Sequence, residues 1–251
     1  MAGKVIAITG ANGGLGRATA RRLVQAGEQV VMLGRSFAKV EEAAAVVGGN
    51  ALPLVCDLRD PESIKAAFAA IGERFGRLDV LINNAGVFKP YLIESAADSD
   101  LVDGIYGNLL GPIFCVREAI PLMEPGSQII NVTSESVVTQ HPFLSIYEAG
   151  KTGLERFSRA MEEELAPRGI RSIIVRAGQM KGDEISGSLD PEMAQKFFDE
   201  CIARGLNALE RGFSSYNSAA GVIQAVINLP IDITIDIVSC HSVPGQDALE
   251  T

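Results

Sequence analysis

The sequence predicts an α/β fold: a doubly wound parallel sheet sandwiched between two helical layers, formed as a single domain over residues 1–251. Three observations predict it. Lys4-Val-Ile-Ala-Ile-Thr9 is a nearly continuous apolar run, as a strand buried on both faces of a parallel sheet requires. A glycine loop, Gly10-Ala-Asn-Gly-Gly-Leu-Gly16, leads from it straight into a helical pattern over Arg17–Gln25. Strand and helix patterns then alternate with similar spacing, which implies right-handed crossovers and a parallel sheet.

The next two strands are Glu28–Leu33 and Ala51–Cys56, separated by an amphipathic helix from Ser36 to Val47 that Gly48-Gly49 stops. Asp60-Pro61-Glu62 opens another helix, with Asp60 as N-cap, proline at the first helical position and an acid in the first turn. Leu78–Ile82 is the fourth strand. Leu101–Met123 reads as one long helix, disturbed at Gly111-Pro112 and apolar nearly all round. Gln128–Val132 is the fifth strand, Ser145–Ala166 a helix with an apolar stripe at Leu154, Phe157, Met161 and Leu165, and Ile170–Arg176 the sixth strand. A variable region, Gly178–Ser215, holds a helix over Pro191–Arg204. A helix over Ser218–Ile227 and a last strand over Ile231–Ser239 complete the pattern. No linker or internal period divides the chain.

A hydrophobic content of 47% with 21% charged residues describes a globular chain with a sizeable core. The net charge of −9 includes no basic run, which argues against nucleic acid and anionic membranes as partners and for a small molecule. No apolar run reaches ~18 residues and no leader pattern precedes the first strand, so the expected location is cytoplasmic. Cys56, Cys115, Cys201 and Cys240 are widely spaced, with no Cys-x-x-Cys pair, and read as reduced core thiols; no metal site is expected.

The chemistry points to Ser134–Lys151, which carries a hydroxyl, a phenol and an ammonium. Tyr147 and Lys151 are four residues apart, hence on one face of a helix, and an ammonium within ~4–6 Å lowers a phenol's pKa. A phenol tuned in this way exchanges protons near neutral pH. The glycine loop between strand and helix N-terminus is an anion site, because backbone amides and the helix dipole point at a pyrophosphate. The second strand ends in Leu33-Gly34-Arg35, about 20 residues beyond the loop, where an acid would bond a ribose 2′-hydroxyl and an arginine accommodates a 2′-phosphate.

Thr9-Gly10-x-x-x-Gly14-x-Gly16, Asn83-Asn84-Ala85-Gly86, and a serine thirteen residues before Tyr147-x-x-x-Lys151 together resemble the short-chain dehydrogenase/reductases, clearly from Lys4 to about Asp183 and more loosely beyond. The resemblance implies a Rossmann-type sheet and an NADP(H)-dependent oxidoreductase acting on a ketone or secondary alcohol, with NAD(H) the less favoured cofactor. It implies catalytic roles for four residues: Ser134 holds the carbonyl oxygen, Tyr147 transfers the proton, Lys151 binds the ribose and lowers the tyrosine pKa, and Asn108 anchors a water relay. Cofactor contacts are implied at Gly10, Asn12, Gly14, Leu15, Gly16, Arg35, Asp57, Leu58, Asn84, Ala85, Gly86, Gly178 and Met180, besides Tyr147 and Lys151, with Asp57 meeting the adenine and Asn83 also lining the groove. A homo-oligomer, tetramer or dimer, is implied through the helices at 101–123 and 145–166.

Three departures stand out. Gly150 replaces a common serine and is expected to be harmless. Ala177-Gly178-Gln179-Met180 replaces Pro-Gly and its following threonine, removing a side-chain contact to the nicotinamide amide. Ser239-Cys240-His241 replaces Asp-Gly-Gly at the end of the last strand. Glu135 and Glu148 are expected to face solvent and His141 to be a loop residue. Phe88, Tyr91, Phe143, Leu144, Leu189, Met193, Phe197 and Phe198 border the expected pocket and point to a largely apolar substrate. The alternatives are a non-catalytic dinucleotide-binding regulator, against which the complete Asn108, Ser134, Tyr147 and Lys151 set argues, and an epimerase or dehydratase, for which Gly178–Ser215 is a small substrate region.

Overall fold

The computed structural model describes residues 3–181, 190–206 and 212–243. The leading elements are β1 (Val5–Thr9), α1 (Gly14–Gln25), β2 (Gln29–Gly34), α2 (Phe37–Val47), β3 (Ala51–Val55), α3 (Pro61–Phe75) and β4 (Val80–Asn83). They are followed by α4 (Asp98–Ile105), α5 (Gly111–Ala119), β5 (Gln128–Ser134), α6 (Ser145–Leu165) and β6 (Arg171–Ala177). The last part contains β7 (Met180–Lys181), α7 (Pro191–Ala203), β8 (Ser214–Ser215), α8 (Tyr216–Ile227) and β9 (Ile237–Cys240).

Seven strands form one parallel sheet in the order β3-β2-β1-β4-β5-β6-β9. The strand order reverses between β1 and β4, which opens a crevice at the carboxyl ends of these two strands. Both faces are covered, so the apolar runs are continuous. Ile6, Ile8, Val30 and Met32 face Leu15, Leu23, Val40 and Ile223 of α1, α2 and α8. Val5, Ala7, Val31 and Leu33 face Ile64, Phe68, Cys115 and Met161 of α3, α5 and α6.

The helix expected over Leu101–Met123 is instead α4, a π-helical turn at Tyr106–Leu110, α5, and a 3-10 turn at Ile120–Leu122. Asn108 supplies the cause. Its Nδ2 donates to Gly104 O at 2.9 Å, so the side chain takes the carbonyl that its own amide would bond in an α-helix. The last strand begins at Ile237, not Ile231. Arg171 Nη1 donates to Pro230 O at 3.0 Å and Ile233 O at 2.7 Å, holding that stretch as a turn with Ile231 72% exposed. The pairing of β7 with β8, Met180 opposite Ser214 and Lys181 opposite Ser215, was not legible in the sequence and ties together the two ends of the variable region.

Candidate active site

The loop from β1 to α1 is built by close approach. Gly10 has φ 66°, and a Cβ there would stand 2.9 Å from Ala85 Cα. A Cβ on Gly16 would stand 2.5 Å from Gly10 O and 2.6 Å from Asn84 Nδ2. Thr9 Oγ1 accepts from the amides of Asn84 at 3.0 Å and Ala85 at 3.1 Å, and Asn84 Nδ2 returns a bond to Thr9 O at 3.0 Å. The Asn84–Gly86 segment is thereby clamped to the glycine loop. The N-cap of α1 is Gly13, with no side-chain cap and no acid in the first turn, whereas α3 is capped by Asp60, which accepts from Glu62 N at 3.0 Å. The first amides of α1 therefore lack a carboxylate, which is what a pyrophosphate at that end requires. Leu15 is buried in the core beneath the loop, so only its backbone faces outward.

Other residues expected at a cofactor converge on the same end of the sheet, with differences. Arg35 is exposed at the end of β2, beside Gly34, whose added Cβ would stand 3.2 Å from Asn12 Oδ1. Asp57 accepts from Arg59 N at 3.0 Å, Arg59 Nε at 3.2 Å and Arg59 Nη2 at 3.0 Å. The Arg59 guanidinium, aided by the charge of Arg35, holds its carboxyl below the usual range. Leu58 packs on the start of α5, where an added Gly111 Cβ would meet its Cβ at 2.6 Å. Asn83 differs from expectation. It is buried inside the sheet, donating to Asn131 Oδ1 at 2.9 Å, and does not line the crevice.

Gly178 donates to Cys240 O at 2.8 Å, and an added Cβ would lie 3.0 Å from that oxygen and from His241 Cα, so the atypical end of β9 grips the segment that carries Met180. Gly182 and Leu189 lie outside the described residues.

Ser134 ends β5, and Tyr147 and Lys151 project from the first turns of α6 beside it. Ser134 Oγ accepts from Ser136 N at 3.2 Å. Lys151 is 3% exposed, and its Nζ donates to Val132 O at 2.9 Å. Burial pushes its pKa down to about 8. The Tyr147 phenol is shifted upward: burial raises its pKa, the nearby Ser134 hydroxyl opposes the rise, and the Glu135 carboxylate adds to it. This corrects the expectation that Lys151 lowers it. In this structure the ammonium is held by a backbone carbonyl, and desolvation of the phenol dominates.

Asn108 is fully buried. Its Nδ2 donates to Val87 O and Gly104 O, both at 2.9 Å, and its Oδ1 accepts from Val87 N at 3.1 Å. Its side chain is therefore occupied in fixing the π-helical turn. Gly86 lies between it and the lysine, for an added Cβ would meet Asn108 Oδ1 at 2.9 Å and Lys151 Nζ at 3.2 Å.

Glu148 does not face solvent as expected. It accepts from His141 N at 2.7 Å, pinning the loop before α6, in which Phe143 takes φ 62°. His141 sits in that loop, its Nδ1 2.9 Å from Thr139 O. Of the anticipated pocket residues, Leu144 and Phe197 are core, while Phe88 remains 40% exposed. Phe88 meets Tyr147 edge to face at 5.3 Å and Phe197 at 6.0 Å.

One arrangement escaped the sequence reading. Glu155, one helical turn beyond Lys151, accepts from Thr133 Oγ1 at 2.8 Å, Arg176 Nε at 2.9 Å and Arg176 Nη2 at 2.7 Å. This buried pair ties α6 to the residues that precede Ser134 and Ala177-Gly178. The available signal was an acid on the apolar face of α6 and an arginine ending a buried strand.

A family model described as short chain dehydrogenase matches residues 4–193. A 3beta-hydroxysteroid dehydrogenase of Mediterraneibacter gnavus is 37% identical over 175 residues, which span 66% of this chain and 62% of that relative. Among solved structures, a short-chain dehydrogenase from Streptomyces avermitilis superposes with a TM-score of 0.81 at 27% identity, covering 95% of this chain and 88% of that one. A 3-ketoacyl-(acyl-carrier-protein) reductase from Brucella melitensis, complexed with NADH, gives a TM-score of 0.77 at 27% identity over 94% of this chain and 96% of its own. The fold and site thus define a dinucleotide-binding oxidoreductase class, and the chain belongs to the short-chain dehydrogenase/reductase family.

Proposed function

We propose that the protein is an NADP(H)-dependent oxidoreductase that interconverts a ketone and a secondary alcohol, with Tyr147 as general acid and base. The observation that carries this reading is the placement of Tyr147 and Lys151 one turn apart at the start of α6, beside Ser134 at the end of β5, with the Lys151 ammonium buried and donating to Val132 O at 2.9 Å. The dinucleotide, when bound, supplies or accepts the hydride. The chain's own groups do the rest. The Ser134 and Tyr147 hydroxyls hold the substrate oxygen, on which negative charge grows during reduction, and Tyr147 passes its proton to that oxygen. Lys151 would bond the nicotinamide ribose. Asn108 would hold the bend of α4 into α5 and anchor a water relay there through an oxygen, since both side-chain N–H groups are already used.

The amides of Gly14 and Leu15 would take the pyrophosphate. Asn84–Gly86 would line the nucleotide, and Gly178 and Met180 the nicotinamide. Asp57 would face the adenine with the lone pairs that Arg59 leaves. Exposed Arg35, with no acid beside it on β2, supports NADP(H) over NAD(H). Phe88 against Tyr147 supports a largely apolar substrate. No helix among the described residues is long and apolar enough to cross a membrane. The reading includes a single domain over 1–251, a cytoplasmic location and a homo-oligomer, tetramer or dimer.

Oxidation of NADPH followed by absorbance against a ketone panel tests the reading. Wild type turns over at least one apolar ketone, and Tyr147→Phe, which keeps the ring, loses about 10²–10⁴-fold with dinucleotide affinity retained. A phenylalanine variant with more than about a tenth of wild-type turnover would place the proton donor elsewhere.

A further inference from the structure

Gly14 opens α1 with φ 50°, in the glycine loop whose amides are proposed above to take the pyrophosphate. One side chain from a distant part of the sequence covers it. A Cβ on Gly14 would stand 3.5 Å from Cζ, 3.6 Å from Cε1 and 3.7 Å from the hydroxyl of Tyr216, the first residue of α8. The tyrosine is half-buried, its ring packed on the core between α1 and the sheet. Its helix is fixed against α1, for Arg22 Nε donates to Gln224 Oε1 at 2.8 Å and Arg22 Nη1 to Asn217 Oδ1 at 3.2 Å. Tyr216 is therefore held in place by contacts independent of any ligand.

The preceding residues tie the same point to the other end of the crevice. Ser214 and Ser215 pair with Met180 and Lys181, and the Ser214 amide and hydroxyl both donate to Gln179 O at 3.1 Å. Ser215 caps α8 by accepting from Ser218 N at 3.0 Å. The segment leading from Gly178 is thus joined through this small sheet to a phenol standing over the glycine loop.

We infer that Tyr216 is a cofactor-binding residue whose hydroxyl donates to the dinucleotide pyrophosphate over Gly14, closing the glycine loop from the side opposite Asn84–Gly86. The inference rests on the dinucleotide reading above but not on the choice between NADP(H) and NAD(H), because the pyrophosphate is common to both. A phenol is suited to this place: its ring contributes packing on a glycine without adding negative charge, and its O–H donates to an anion.

Binding of NADPH, NADH and adenosine 2′-monophosphate to wild type and Tyr216→Phe, by calorimetry or fluorescence titration, tests it. Losing one hydrogen bond to a charged group weakens binding by roughly 10-fold or more. The expected result is that loss for NADPH and NADH by the same factor, with adenosine 2′-monophosphate, which has no pyrophosphate, unchanged. Unaltered dinucleotide affinity overturns the inference. So does a loss confined to NADPH, which would put the phenol on the ribose phosphate, and so does an equal loss for all three, which would indicate a displaced loop. Wild type that binds neither dinucleotide refutes the underlying functional reading, and the inference with it.

Discussion

Gly150 lies so close to Asn108 that a Cβ on it would stand 2.8 Å from the asparagine's own Cβ. The position between Tyr147 and Lys151 is therefore not neutral in this chain. Two further glycines complete the seam: a Cβ on Gly104 would meet Ile146 Cγ2 at 2.8 Å, and one on Gly153 would meet Leu109 Cδ2 at 3.1 Å. Gly150→Ser should cost about 1–3 kcal/mol, the usual range for overpacking. It should also lower kcat, because the displaced atom belongs to the residue that sets the π-helical turn. Urea unfolding with activity on the same samples checks both, and a fully stable, fully active variant would show that the seam opens freely.

Arg35→Ala should weaken NADPH by about 10- to 150-fold, the worth of a charge-assisted hydrogen bond to phosphate, and leave NADH nearly unchanged. Placing an acid at Gly34 is a less clean test. Its Cβ would stand 3.2 Å from Asn12 Oδ1 and 3.3 Å from Val40 Cβ, so the Asn12 and Val40 side chains would have to give by a few tenths of an ångström. Titration of both cofactors decides the matter, and equal losses for the two would remove Arg35 from the 2′-phosphate.

The Glu135 carboxylate raises the Tyr147 pKa, so neutralising it must shift the phenol downward. Ketone reduction needs the protonated phenol and alcohol oxidation the phenolate. In Glu135→Gln, the alkaline rise of oxidation and the alkaline fall of reduction should therefore both move to lower pH. Profiles of kcat in both directions against wild type measure this. A shift upward, or none, would mean that another group controls the limb.

Part of the apolar surface of α4, α5 and α6 is used within the chain, where Ile146 and Leu109 close the glycine seam. Val102 remains 53% exposed, and Phe114 and Phe157 are only half-buried. Light scattering at micromolar concentration should give a dimer or tetramer. A monomer would show that these side chains need no partner.

The sequence by itself determined the first six strands of the sheet, from Val5 to Ala177, because they are apolar runs set off by local signals such as the glycine loop, Gly48-Gly49 and the Asp60 cap; the edge strand β9, short and half-buried, was placed six residues too early. The sequence also brought Ser134, Tyr147, Lys151 and the glycine loop to one end of that sheet, since such motifs fall at the carboxyl ends of strands. What only the tertiary structure decided depends on approach between distant segments. Gly150 has a role because Asn108 stands against it, and Asn108 bends its helix because Gly104 O and Val87 are within reach. Glu155 is tolerated in the core because Arg176 arrives from another strand, and Tyr216 reaches the glycine loop only because α8 packs on α1. The direction of the Tyr147 shift belongs to the same group. Spacing along a helix places an ammonium one turn away, but desolvation, which is set by everything packed around the ring, determines the sign.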